Sequence, residues 1–150
     1  MLHHLVAAII IHRQRILLGQ RSPGRVFYPN VWDVFGGHIE PEELPEGTLV
    51  RELQEELDIT PTHWAELEII RESVPEREDT PSYDLIVHFY CVTGWMGKPV
   101  NRQLEEHTLI QWFSYDEAVR LELAHPDYPR LFARCLQSIA EDKGGSGGDC

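Results

Sequence analysis

Leu49, Val50, Leu53 and Leu57 recur at helical spacing, and at about 100° per residue the adjoining sector is filled by Glu52, Glu55 and Glu56. A helix over 46–57 must therefore lay one flank on an apolar layer and hold three carboxylates along the edge of that layer. Pro61 excludes the helical conformation at its predecessor, so the helix stops short of it. The stretch 36–59 carries eight acidic residues and one basic residue, Arg51. Like charges at i,i+3 and i,i+4 each cost a helix about 0.2–0.5 kcal/mol, and acids near its C-terminus oppose the macrodipole. Local stability does not select this arrangement. A solvated acidic face tolerates the repulsion, whereas a hard divalent cation offsets it, since Mg²⁺ takes oxygen ligands from carboxylates, water and phosphate.

Around this helix the pattern alternates. Apolar runs at 5–11 and 16–21, separated by polar residues, read as two antiparallel strands. A loop over 22–30 leads to a short strand at 31–35 and a turn at Gly36-Gly37. Further strands are expected at 67–71, 85–92 and 108–113, with a long exposed loop over 75–82. Ser114 and Glu117 match a capping box that opens a helix running to about Ala124. Asp127 is placed to cap a last helix with Leu131, Phe132, Cys135, Leu136 and Ile139 on one face. Hairpin-like neighbours beside helical crossovers predict a mixed β-sheet with helices on both faces, an α/β/α sandwich.

One domain over 1–142 accommodates the pattern. Residues 143–150, ending GGSGGDC, have the composition of a flexible linker and are expected to form a disordered tail, native or appended. A net charge of −12 argues against binding nucleic acid, which needs a basic surface. The longest apolar run, 5–11, is too short to span a membrane and has no signal-peptide flanks, so the expected location is cytoplasmic. Cys91, Cys135 and Cys150 are odd in number, far apart and without a C-x-x-C pair, which predicts reduced thiols.

Gly37, Glu43, Arg51, Glu52, Leu53, Glu55, Glu56 and Ile59 reproduce the spacing G-x5-E-x7-R-E-U-x-E-E-x-G-U, with U a bulky apolar residue, at every defining position but one. The chain resembles the Nudix hydrolases, of the MutT-like kind, and the motif spans residues 37–59. Asp58 stands where the family has glycine, and Asp visits the left-handed conformation more readily than most residues. Phe35 replaces the proline often found before the double glycine. The resemblance implies that Glu52, Glu55 and Glu56 bind Mg²⁺ or Mn²⁺ and that Arg51 and Glu43 orient them. It also implies that Gly36 and Gly37 bring backbone close to the site and that Glu106 supplies an additional base or ligand. Arg21, Arg25 and Tyr28 are substrate-side candidates, two for phosphate and one for stacking on a base. Trp32 is read as core, and His38, His63, His88 and His107 show no metal-ligand spacing.

The reaction this implies is hydrolysis of a diphosphate-linked nucleotide, with a nucleoside triphosphate or modified dNTP giving monophosphate and pyrophosphate. An ADP-ribose or sugar-nucleotide pyrophosphatase is the alternative within the family, and a non-catalytic nucleotide-sensing module the alternative outside it. Nothing in the sequence sets the oligomeric state.

Overall fold

Period-two alternation sorts the apolar side chains of the first strand onto two faces, and the layers follow from that division. The structure, a computed structural model, describes residues 1–23 and 30–145, with side chains through Glu141. In β1 (Leu2–His12), Ala7, Ile9 and Ile11 face one side and Val6, Ala8 and Ile10 the other, all buried. The chain continues through β2 (Arg15–Arg21), β3 (Trp32–Asp33), β4 (Phe35–His38), α1 (Pro45–Leu57), β5 (Thr60–Val74), β6 (Tyr83–Met96), β7 (His107–Ser114), α2 (Tyr115–Ala118) and α3 (Tyr128–Gly145). The sheet order is β3-β2-β1-β6-β5, with β4 also on β1 and β7 also on β2. β1 and β6 run parallel and the remaining pairs antiparallel. Leu49, Leu53 and Leu57 of α1 cover Val6, Ala8, Ile10 and Phe35, while Leu131, Phe132 and Cys135 of α3 cover Ile9, Ile16 and Phe89. This is the expected sandwich with its mixed sheet. No helix among the described residues is long and apolar enough to cross a membrane.

One edge of β1 is shared. β2 pairs with it at Ile10–His12 and β4 at Leu5–Ala8, and β4 lies against α1 at Glu52 and Glu56. The double glycine, expected as a turn, is therefore a strand: Gly36 pairs with Ala7 and Gly37 with Val6. The reason is space. A Cβ on Gly36 would sit 2.0 Å from the Val6 carbonyl oxygen, and one on Gly37 would sit 2.4 Å from Glu52 Oε1.

Three further expectations are corrected. β5 starts at Thr60, seven residues before the strand expected at 67–71, because its first half is an exposed, thrice-bulged edge without alternation. α2 stops at Ala118 although both arms of the capping box form. Trp32 N–H donates to the Glu122 carbonyl and Ala124 N–H donates to the Trp32 carbonyl, each at 2.8 Å, and this pairing replaces the helix expected up to Ala124. α3 continues to Gly145, so residues 143–145 of the expected tail are helical, and 146–150 lie outside the described residues.

The thiols are also corrected. Cys91 and Cys135 form a disulfide with a Cα–Cα distance of 5.8 Å. Their separation of 44 residues conceals a contact that only the packing of α3 on β6 creates.

Asp58 ends α1 in the left-handed conformation, φ 57° and ψ 37°, with its N–H directed to the carbonyls of Gln54 and Leu53. Asp58→Gly is expected to raise stability by up to about 1 kcal/mol, because glycine enters this region without the Cβ penalty. The Arg102 pair that it loses, 3.3 Å long, is exposed on both sides and contributes little. Denaturant midpoints of the two proteins check this.

Candidate active site

Arg51 lies one residue from Glu52 and one turn from Glu55, and its guanidinium gathers acids from both α1 and the loop before it. Nε and Nη2 donate to the two oxygens of Glu43 at 2.7 and 3.0 Å. Nη1 donates to Glu52 at 3.0 Å and Glu55 at 3.4 Å, and Nη2 to the His38 carbonyl at 3.0 Å. Glu43 also accepts from Glu40 N–H at 2.9 Å and Thr48 Oγ1 at 2.8 Å. With Arg51 as the main cause, its carboxyl is held down to about 2, and it stays ionised through the physiological range. A forked cation reaching three carboxylates is not replaceable by a point charge. Arg51→Lys is expected to lower kcat/KM about 10–100-fold through misplaced ligands while the fold persists, as steady-state kinetics and circular dichroism can establish.

Glu56 has the opposite surroundings. It is 3% exposed on the inner flank of α1, and Gly36 N–H donates to its Oε1 at 3.2 Å. Burial raises its carboxyl first, the charges of Glu52 and Glu106 raise it further, and together they bring it to about 9. Burial also raises Glu52, with Arg51 offsetting part of the effect. Glu55 is half-exposed, and its contact here is with Arg51.

The segment between β6 and β7 is strapped to the end of α1. Val100 N–H donates to the Leu57 carbonyl and Arg102 N–H to the Glu56 carbonyl, each at 3.0 Å. At the other end of the segment, Ser22 N–H donates to the Glu106 carbonyl at 2.9 Å and Ser22 Oγ to the Glu105 carbonyl at 2.7 Å. Glu106 is thereby delivered to Glu56: ligand atoms of Glu56, Glu106 and the buried His107 all lie within 4.8 Å of one another. His107 escaped the sequence reading because its approach to Glu56 is tertiary; adjacency to Glu106 was the available signal. Its ring packs on Phe35 at 5.2 Å.

This donor set fits a divalent cation. Two carboxylates converge in a buried place with a third, Glu52, close enough to raise Glu56, and a cation with hard-oxygen preference relieves that repulsion.

Arg21 ends β2 paired with Asp33, Nη1 to Oδ2 at 3.2 Å, with both side chains largely buried. Asp33 also accepts from Tyr128 Oη at 2.6 Å, and burial together with the Asp33 charge holds that hydroxyl well above its ordinary range. Arg25 and Tyr28 lie outside the described residues. Trp32 packs edge-on against Phe113 at 4.9 Å, as core. His88 Nδ1 is buried without a hydrogen-bond partner among the described residues.

Residues 2–135 match the family model of the NUDIX domain. The chain is 36% identical over 130 residues to a CTP pyrophosphohydrolase of Escherichia coli, covering 86% of this chain and 88% of that one. It is 32% identical over 95 residues to an 8-oxo-dGTP diphosphatase of Proteus vulgaris, covering 63% and 80%. The solution structure of the Escherichia coli ORF135 protein superposes with a TM-score of 0.72 at 28% identity, covering 93% of this chain and 92% of that one.

Proposed function

Because this chain belongs to the Nudix hydrolase family, acting on phosphoanhydride bonds, we propose that it is a Mg²⁺- or Mn²⁺-dependent nucleoside triphosphate pyrophosphohydrolase. Its product pair is a nucleoside monophosphate and pyrophosphate. The substrate class is a cytosine or modified-purine nucleoside triphosphate, in line with the relatives named for CTP and 8-oxo-dGTP. A cytoplasmic setting fits substrates of that class. The observation that carries the reading is the convergence of Glu56, Glu106 and His107 beside Glu52.

Glu52, Glu55, Glu56 and Glu106 would hold the cation, Glu55 from the exposed margin. The ion supplies charge neutralisation for the polyphosphate and a water of lowered pKa. Hydrolysis then forms one bond from water oxygen to phosphorus and breaks the P–O bond bridging the α and β phosphorus atoms; a carboxylate takes the water proton, and pyrophosphate or the nucleoside monophosphate departs as the anion. Glu106, on the segment facing Glu56, is suited to that proton. Arg51 and Glu43 act indirectly by holding Glu52 and Glu55 in place. Gly37 leaves room for the Glu52 carboxylate, and Gly36 N–H fixes the orientation of Glu56. Arg21, Arg25 and Tyr28 remain substrate-side assignments of this proposal.

Incubation with CTP, 8-oxo-dGTP, the ordinary nucleoside triphosphates and ADP-ribose, with Mg²⁺ and product separation by anion exchange, tests it. The expected result is monophosphate plus pyrophosphate from a triphosphate, with kcat/KM at least about tenfold above that for ADP-ribose, a preference of about 1.4 kcal/mol. AMP released from ADP-ribose alone, or no turnover of any diphosphate, contradicts it.

A further inference from the structure

The Cys91–Cys135 disulfide joins the middle of β6 to the inward face of α3, on the face of the sheet opposite α1. Its two cysteines have unequal surroundings. Cys135 is 0% exposed among Leu131 and Phe132, whereas Cys91 is 5% exposed and lines an open cleft of about 390 Å³ between β5, β6 and α3. Thr93, Ser138 and His63 add polar groups to the wall of that cleft, and Trp64 adds an exposed ring. A structural disulfide sealed on both sides offers no such approach to either sulfur.

We propose that this pair is a reversible thiol-modification site at which a small thiol entering the cleft attacks Cys91. The thiolate of the incoming molecule forms a bond to Cys91 Sγ as the Cys91–Cys135 bond breaks, and Cys135 leaves as a thiolate that takes up a proton. A second thiol resolves the mixed disulfide, giving reduced Cys91 and the disulfide of the small thiol. The reverse exchange, with that small disulfide as oxidant, restores the pair. Two electrons pass to the protein in one direction and two return in the other.

The consequence falls on α3. With the bond closed, the helix is fastened to the sheet seven residues after Tyr128, whose hydroxyl donates to Asp33, which in turn accepts from Arg21. With the bond open, α3 keeps its apolar contacts and the Arg130–Glu68 and Arg134–Glu68 pairs, but loses the covalent closure of the loop between the cysteines. The Tm is expected to fall on the order of 10 °C, the chain-entropy value for a loop of this length in a domain of this size.

The test uses the full chain carrying Cys150→Ser, which removes the third thiol. The oxidised protein is exposed to graded glutathione redox mixtures under native conditions, quenched with acid, alkylated and mapped by mass spectrometry, with amide exchange and Tm followed in parallel. The proposal expects glutathione on Cys91 with Cys135 alkylated as the free thiol, faster amide exchange in α3 after reduction, and recovery of both on reoxidation. It is overturned by glutathione on Cys135, by a pair that resists glutathione until the chain is unfolded, or by two free thiols in the air-oxidised protein. None of these readouts depends on nucleotide hydrolysis, so they stand or fall apart from the proposed activity.

Discussion

Glu56→Gln is expected to lower kcat/KM on the order of 10³-fold, more than the 10–100-fold typical of groups that only orient a ligand, and to raise the metal-free Tm above neutral pH. The two effects have one cause. Glu56 is 3% exposed, beside Glu52 and Glu106, and its charged form is disfavoured first by burial and then by those neighbours. The folded-state value lies above the unfolded one, so the native state binds the proton more tightly. The stability this gives is full below about 4.5 and lost as the pH rises through about 9. Glutamine keeps the shape, retains an oxygen for Gly36 N–H, and carries no charge to lose. Melting curves without metal across that window, with kinetics in Mg²⁺, check both halves. A variant that is inactive yet no more stable than the parent at alkaline pH contradicts the account of the buried carboxylate.

The second large effect separates fold from function at adjacent residues. Gly36→Ala is expected to destabilise by about 3–4 kcal/mol, in the upper range for single substitutions, because the new methyl meets backbone, the Val6 carbonyl oxygen at 2.0 Å. β4 cannot yield there without leaving β1. Gly37→Ala meets a side-chain end, Glu52 Oε1 at 2.4 Å, which can swing away. Its stability should fall by no more than about 1 kcal/mol. Its activity should fall about 10–100-fold, as Glu52 loses its place 3.0 Å from Arg51 Nη1. Chemical denaturation and steady-state kinetics on both variants distinguish the two. Equal losses of stability would show that the close approach of Gly37 to Glu52 is not what the residue provides.

The difference between these neighbours shows how far the sequence was legible. Helix α1 could be read because one local period sets its buried flank and its acidic edge, and Pro61 bars it from running further. The first strand was legible as a continuous apolar run, and the layered sandwich as hairpin-like neighbours beside helical crossovers. Arg51, Glu52, Glu55 and Glu56 were placed near one another by the helix itself.

What escaped depends on chain segments far apart. The strand at Gly36-Gly37 is dictated by how near β1 and Glu52 lie, and an isolated Gly-Gly reads as a turn. Residues 122–124 leave the helical path because Trp32, some ninety residues earlier, bonds to the Glu122 carbonyl and the Ala124 amide. The first half of β5 is an exposed edge whose bulges erase the alternation that marks a strand. His107 meets Glu56, and Cys91 meets Cys135, only through tertiary packing.

The most direct measurement is a calorimetric titration of the folded protein with Mn²⁺ at neutral pH, in two buffers of different ionisation enthalpy, with and without a non-hydrolysable nucleoside triphosphate. Because a raised carboxyl must surrender its proton to a cation, binding should release on the order of one proton per protein, and Glu56→Gln should abolish that release. Absence of any association, with nucleotide present or absent, would contradict a cation held by the acids of α1 and the segment before β7.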